Sequence, residues 1–304
     1  MGIITSGSFA KLLWPGLNKI YGQAYAEFPE EWSQIFTTES SSKAYEEDIG
    51  TTGFGLARIK TENGAFDYDE DTQAYLTRYS HAVLALGFQV SREVYEDDQY
   101  GKVGGRKAKA LAFSLRQTKE IRAANILNRA FNSSYLGGDA KELCATDHPN
   151  YSGGTQRNEL STASDLSEAA LEQACIDVSK FETDRGLRIS VKPNKLIIPT
   201  ELIFEAERIL MSPYRVGSAD NDINAIKAMG KFPGGIVENH YLTDTDAWFI
   251  QTNCQDGLKH FQRRAMQFGV DNDFETEVAK FKATERYVFG WTDWRQMFGS
   301  AGAA

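Results

Sequence analysis

The chain has 304 residues, 41% of them hydrophobic and 12% aromatic, with 33 Lys and Arg against 42 Asp and Glu for a formal net charge of −9. This length and composition suit one or two domains with a sizeable core, and exclude both a disordered chain and a small disulfide-stapled scaffold. Cys144, Cys175 and Cys254 are odd in number and form no CxxC pair, which fits a reducing compartment; the opening MGIITSGSFAKLLWPGL has no signal-peptide pattern, and no stretch approaches the roughly 20 apolar residues of a membrane span, so a soluble protein without a membrane partner is expected.

Residues 1–45 spread Trp14, Phe28, Trp32 and Phe36 among acids and a Ser/Thr cluster, too sparsely for a core. A short helix fits around Ser8–Tyr21, and the rest reads as an arm. From Phe54 to Ser80 two strand-like runs flank Glu62-Asn63-Gly64, a hairpin signal because Asn and Gly both tolerate positive φ. Their arms are polar on both faces, with Asp67, Asp69, Glu70 and Asp71 crowded into one, so the hairpin is expected to project and to need a surface to lie on.

Between about Lys102 and Phe131 the spacing predicts a long helix. Leu111, Leu115, Thr118, Ile121, Ala124, Leu127 and Phe131 recur at gaps of three or four, the stripe of one helical face. At ~1.5 Å per residue the helix would span about 45 Å. Its charges are one-sided: Lys102, Arg106, Lys107, Lys109, Arg116, Lys119, Arg122 and Arg129 against Glu120 alone, leaving the rest of the chain strongly acidic. Such segregation points to a polyanion on one face of an assembly.

The second half reads as an α+β domain. Asp165 and Glu168 form a possible capping box for a helix lined by Ala170, Ala174, Val178 and Phe181 and stopped at Gly186. A strand over Lys195–Ile198 ends at Pro199, and Thr200 is placed to cap a helix over Glu201–Met211. Strands follow at Gly235–Leu242, Ala247–Thr252 and Leu258–Phe261. A long half-buried strand runs over Ala279–Trp291, its alternation broken only by Glu285, before a small-residue tail from Gly299 to Ala304.

Catalytic signatures are missing. The sequence contains no GxSxG, GxxxxGK[ST] or HExxH, and Gly53-Phe54-Gly55 lacks the third glycine of a dinucleotide loop. Cys144, Asp147 and His148 match no local nucleophile signature, and two ligands are too few for structural zinc. Asp220-Asn221-Asp222 and Asp271-Asn272-Asp273 lack the Glu of a calcium loop at position twelve. No enzyme, cofactor or metal is expected.

The order arm, hairpin, long helix, mixed domain and returning strand resembles the major capsid proteins of tailed phages with the Hong Kong 97 (HK-97) fold. The runs SFAKLLWPGLNKIYG, YLGGDAKELCATDHPNYSGG, RVGSADNDINAIKAMGKFPGG, HYLTDTDAWFI and ERYVFGWTDWRQMFG are similar to the Mu-type major head subunit family. The resemblance covers nearly the whole chain, and its specificity lies in the joint presence and order of these runs.

The resemblance implies an N-terminal arm over 1–48, an E-loop over 49–82, a peripheral domain over 83–190 and 266–304 with its spine helix at about 102–131, and an axial domain over 191–265. It implies a major capsid protein that self-assembles into hexamers and pentamers of an icosahedral shell in the bacterial cytoplasm. The shell would enclose double-stranded DNA contacted without sequence preference, with a portal, a decoration protein and a separately encoded scaffold as partners. Arg106, Lys107, Lys109, Arg116, Lys119, Arg122 and Arg129 are the expected DNA-facing residues. Trp14, Phe28, Trp32, Phe54, Lys60, Asn63 and Phe66 are the expected contacts between subunits, Lys60 also being the residue an isopeptide crosslink would use. The alternatives are an encapsulin-like compartment around protein cargo, or an enzyme whose site is assembled from distant residues.

Overall fold

A computed structural model describes residues 18–27, 29–91, 93, 100–215, 222–273, 275 and 278–303. Trp14 and Phe28, and most of the helix expected at Ser8–Tyr21, fall outside them; residues 18–26 (α1) are helical. Among the described residues two four-stranded sheets form the framework.

The first sheet has the order β1 (Thr37–Ser40), β10 (Leu258–Asn272), β11 (Ala279–Trp291), β4 (Ala82–Val90). β1 runs parallel to β10 and the other pairs are antiparallel. β11 keeps the expected bounds, and its alternation turns Phe281, Ala283, Glu285, Tyr287 and Phe289 to one buried face. Across that face lies the long helix α2 (Tyr100–Asn128), whose Leu111, Ala112 and Leu115 pack with Phe281 and Ala283 while Ala123 and Leu127 pack with Tyr287 and Phe289.

The buried stripe of α2 differs from the apolar one. Ile121 is 46% exposed, whereas Arg116, Lys119 and Glu120 are buried. The reason is geometric: Ala112, Arg116, Lys119, Glu120, Ala123 and Leu127 stay on one side at steps of three and four, and Ile121 falls off it.

The second sheet has the order β12 (Met297–Ser300), β9 (Trp248–Thr252), β7 (Pro193–Ile198), β8 (Ile236–Glu238). α3 (Glu168–Val178) and α4 (Ile203–Met211) bury Leu171, Ala174, Val178, Ile209 and Leu210 against Leu196, Ile198, Trp248, Ile250 and Phe298. The cap of α3 is Ser167, whose Oγ accepts from Ala170 N, in place of the expected Asp165. Thr200 begins a 3-10 turn over Thr200–Leu202 and does not cap α4.

Three further expectations are corrected. The first residues of the tail, Gly299 and Ser300, belong to β12: a Cβ at Gly299 would lie 2.9 Å from Phe249 and 3.0 Å from Cys144, so only glycine fits there. β10 runs to Asn272, far past Phe261, through two register shifts that destroy its period-two signature. The hairpin is strand only at its far end: β3 (Gln73–Ser80), within the second expected run, pairs with β2 (Tyr45–Thr51), which lies before the first, and the chain between them has no ladder. Asp67, Asp69 and Asp71 there hold side-chain contacts, described below, in place of a cross-strand pattern.

No helix among the described residues is long and apolar enough to cross a membrane.

Candidate assembly interface

The segment 52–72 leaves the chain as a loop with a tight tip. Asn63 has φ 61° and Gly64 N donates to Thr61 O at 3.0 Å, the turn expected of Asn-Gly. Below the tip the loop is held by its acids. Asp71 Oδ1 accepts from Gly53 N at 2.9 Å, and Asp69 Oδ2 accepts from Gly55 N at 2.7 Å. Arg185 Nη1 then reaches both oxygens of Asp69 at 2.9 and 2.8 Å, tying the loop to the segment that follows α3. The Gly55 amide and the Arg185 guanidinium together hold the Asp69 carboxyl below its usual range. A cavity of about 510 Å³ lies beneath, lined by Leu56, Tyr151, Ser152 and Arg185.

Among the described residues nothing backs the outer side of this loop. Ile59 is 97% exposed and Leu56 80%, with Phe54, Phe66 and Tyr68 also exposed. Lys60 lies over the Phe66 ring at 4.3 Å, and Arg58 reaches Asp67 at 3.8 Å. Phe54, Lys60, Asn63 and Phe66 are thus all exposed on this loop, Lys60 and Phe66 in contact. Apolar side chains this exposed on one short segment mark an interaction site.

The root of the loop is anchored by a buried lysine. Lys259 Nζ meets Asp48 at 2.5 Å, Asp256 at 3.0 Å and Glu39 at 3.6 Å. Asp48 also accepts from Thr292 Oγ1 at 2.7 Å. β2 is thereby fixed to the first sheet while the loop beyond it stays exposed. The contacts that tie the loop down escape sequence reasoning because Asp48 lies 211 residues from Lys259 and Asp69 lies 116 from Arg185.

The cations of α2 divide into two sets. Arg106, Lys107, Lys109, Arg122 and Arg129 are exposed, and Arg129 stacks over Tyr135 at 4.2 Å. Arg116 and Lys119 are 5% and 4% exposed and belong to a buried cluster with the arm root. Arg116 Nη1 pairs with Glu30 at 2.5 Å, and Lys119 Nζ lies over Trp32 at 4.6 Å and Tyr287 at 5.2 Å. Glu120 accepts from the backbone N–H groups of Glu31 at 3.2 Å and Trp32 at 3.0 Å, capping the 3-10 turn at Trp32–Gln34. Burial pushes the Glu120 carboxyl up to about 7 against those two hydrogen bonds, and burial with the neighbouring Lys119 ammonium pushes His260 down to about 3. Trp32 therefore packs inside its own subunit, 4.5 Å from His260 and 5.5 Å from Phe289.

The Cys144–His148 stretch is structural. Burial raises the Cys144 thiol well above its usual range, which removes it as a nucleophile. His148 is fully buried, with Nδ1 2.6 Å from Asp139, Nε2 3.0 Å from Asn158 Oδ1, and its ring stacked on Trp294 at 4.4 Å. Asn158 is the hub. Its Oδ1 accepts from Ala145 N at 2.8 Å, and its Nδ2 donates to the carbonyls of Leu143 at 2.7 Å and Met297 at 3.0 Å. Among the described residues no group of three His, Cys, Asp or Glu side chains could hold a metal.

A family model described as Phage capsid protein matches residues 75–299. Among solved structures, the capsid of a native GTA particle aligns with TM-score 0.56 at 13% identity, covering 91% of this chain and 92% of that one. A virus-like particle from Pyrococcus furiosus gives 0.55 at 12% identity, covering 94% and 98%. The procapsid of bacteriophage JBD30 gives 0.53 at 15%, covering 98% and 76%. No curated protein matches. At these identities the structural likeness speaks for the fold: the mixed helix-and-strand architecture is that of HK-97-type capsids.

Proposed function

The chain belongs to the phage capsid protein family, and on that premise we propose that it is the major head subunit that closes into an icosahedral shell of hexamers and pentamers around packaged double-stranded DNA. The observation that carries this reading is the loop 52–72. It is anchored at its root by Lys259 and Arg185, and among the described residues it leaves Phe54, Leu56, Ile59, Phe66 and Tyr68 exposed. Interfaces of obligate assemblies, about 2,000–5,000 Å² or more, supply burial of that kind.

In this reading the arm is 1–48, the E-loop 49–82, the peripheral domain 83–190 and 266–304, and the axial domain 191–265. Phe54, Lys60, Asn63 and Phe66 contact neighbouring subunits. Arg106, Lys107, Lys109 and Arg122 on α2 and Arg129 just after it meet DNA phosphates without reading sequence; Arg116 and Lys119 have their own structural roles at the arm root. The finer placement in the Mu-type head subunit family rests on the runs quoted above. A separately encoded scaffold, a portal and a decoration protein complete the partner set, and assembly takes place in the bacterial cytoplasm before the subunit resides in the virion capsid.

Electron microscopy of the purified protein at low and high salt tests the reading. Closed shells, tubes or capsomer rings are expected. A dispersed monomer that stays monomeric with a co-expressed scaffold would overturn it.

A further inference from the structure

A cavity of about 480 Å³ opens between the arm root and β10. Its apolar lining comes from Tyr25 near the end of α1, from Trp32, and from Ala265 and Met266 of β10. Lys119 of α2 lines it too, although the residue is only 4% exposed. Its Nζ lies over the rings of Trp32 at 4.6 Å and Tyr287 at 5.2 Å. Among the described residues that ammonium meets no hydrogen-bond acceptor and forms no ion pair. Gln262 of β10 shares the cavity, and its side-chain amide likewise has no hydrogen-bond partner among the described residues.

The acids around Lys119 are engaged elsewhere. Glu30, also at the cavity, gives Oε1 to Arg116 Nη1 at 2.5 Å. Glu120 uses both oxygens on backbone N–H groups, those of Glu31 and Trp32. Burial holds the Glu120 and Glu285 carboxyls above their usual range, so neither is a settled countercharge. Burial also holds the Lys119 ammonium below its usual range, against the attraction of Glu285 and Glu30. Aromatic rings attract a cation but accept no strong hydrogen bond, and a buried charge without a hydrogen-bonded partner is costly. An acceptor placed in the cavity removes that cost.

Size and lining decide what fits. The volume is that of a small-molecule site, in which apolar walls hold the body of a ligand and a few polar groups fix one end of it. One ammonium and one carboxamide match the two oxygens of a carboxylate. A phosphate calls for several cations or a free guanidinium fork, and the fork of Arg116 is already paired with Glu30. A neutral ligand would leave the Lys119 charge unmatched. We propose that this cavity binds a small organic carboxylate with an aryl or alkyl body, its oxygens on Lys119 and Gln262 and its body against Tyr25, Trp32 and Met266. The bound acid touches the arm root, α2 and β10 at once, and so braces the arm root against the first sheet. The site lies within one subunit and does not depend on the shell reading.

Titration calorimetry of the unassembled native chain with 3-phenylpropionate, with its neutral amide and with inorganic phosphate tests this. The acid is expected to bind with a dissociation constant of about 0.1 mM and to raise the melting temperature as its concentration rises. The amide, which lacks the charge, should bind about tenfold more weakly or worse. Two variants locate the site. Lys119→Met keeps the length and apolar packing of the side chain but removes the ammonium, and Ala265→Phe fills the cavity while leaving Lys119 in place. Each should weaken the acid about tenfold or more. If Lys119→Met does not fold, Ala265→Phe alone decides. No binding of the acid at about 10 mM, equal binding of acid and amide, or full affinity in Ala265→Phe would overturn the inference. Phosphate that displaces the acid would overturn the carboxylate assignment in favour of an inorganic oxyanion. None of these results bears on whether the chain forms shells.

Discussion

At the residue scale the sharpest dependence falls on Asn158, which satisfies three backbone groups on two separate segments from a fully buried position. Asn158→Ala orphans the Ala145 amide and removes the bonds to the Leu143 and Met297 carbonyls, so a loss of about 3 kcal/mol or more is expected, read as a lower urea midpoint of the unassembled subunit. Glu120 gives a pH-dependent expectation. Its carboxyl is raised to about 7 in the fold against an ordinary 4.5, so the folded state holds the proton more tightly. The stability from that proton is fully present below about 4.5 and is lost as pH rises through about 7. Glu120→Gln stays neutral throughout. The stability of the variant relative to native should therefore be greatest near pH 8 and shrink steadily toward pH 5; a difference flat across this range would count against burial as the cause. Working with the difference matters because His260, depressed to about 3, runs the other way, its contribution being present above about 6.5 and lost as pH falls through about 3.

At the element scale, α2 was legible as a helix but not in its inward face. Periodicity located it within a few residues of Tyr100–Asn128, yet an apolar count placed Ile121 inside and could not see that Arg116, Lys119 and Glu120 would be buried by partners on the arm and β11. Long-range ion pairing leaves no local trace in a sequence. β11 shows the converse: its alternation was readable to both ends, and Glu285, which breaks the apolar pattern, keeps the buried register beside Lys119 and Arg116. β1 and β4 were missed, β1 being a short polar strand that exists only through its parallel pairing with β10. For the exposed set Arg106, Lys107, Lys109, Arg122 and Arg129 the shell reading makes a countable prediction. Replacing all five with Gln should reduce the log–log salt dependence of DNA binding by about 4.5, at roughly 0.9 per phosphate contact, with no change in sequence preference. A slope that does not move would place the DNA contacts elsewhere.

At the scale of the whole molecule, the candidate interface was only half readable. Asn63-Gly64 announced the turn and the crowded acids announced a projection, but the Arg185 and Lys259 anchors required the fold. Because the loop buries so little of itself, a variant with 54–70 replaced by a short Gly-Ser turn should keep the secondary structure and melting temperature of the native unassembled subunit, yet form no shells by electron microscopy; shells of normal size would show that this loop is dispensable for closure. The threading of the two sheets has a separate consequence for synthesis. β1 finds its place only against β10, whose paired residues lie some 222 positions later, and the second sheet is incomplete until β12 at Met297–Ser300 has joined β9. Pairings of such separation form late and slowly. A chain still on the ribosome cannot present a finished first sheet, so a polypeptide that stalls before β10 carries an unpaired β1 and no surface for its neighbours. A chain that ends before β10 is therefore expected to lack both the first sheet and the Lys259 anchor of the loop 52–72, and so to stay out of the shell.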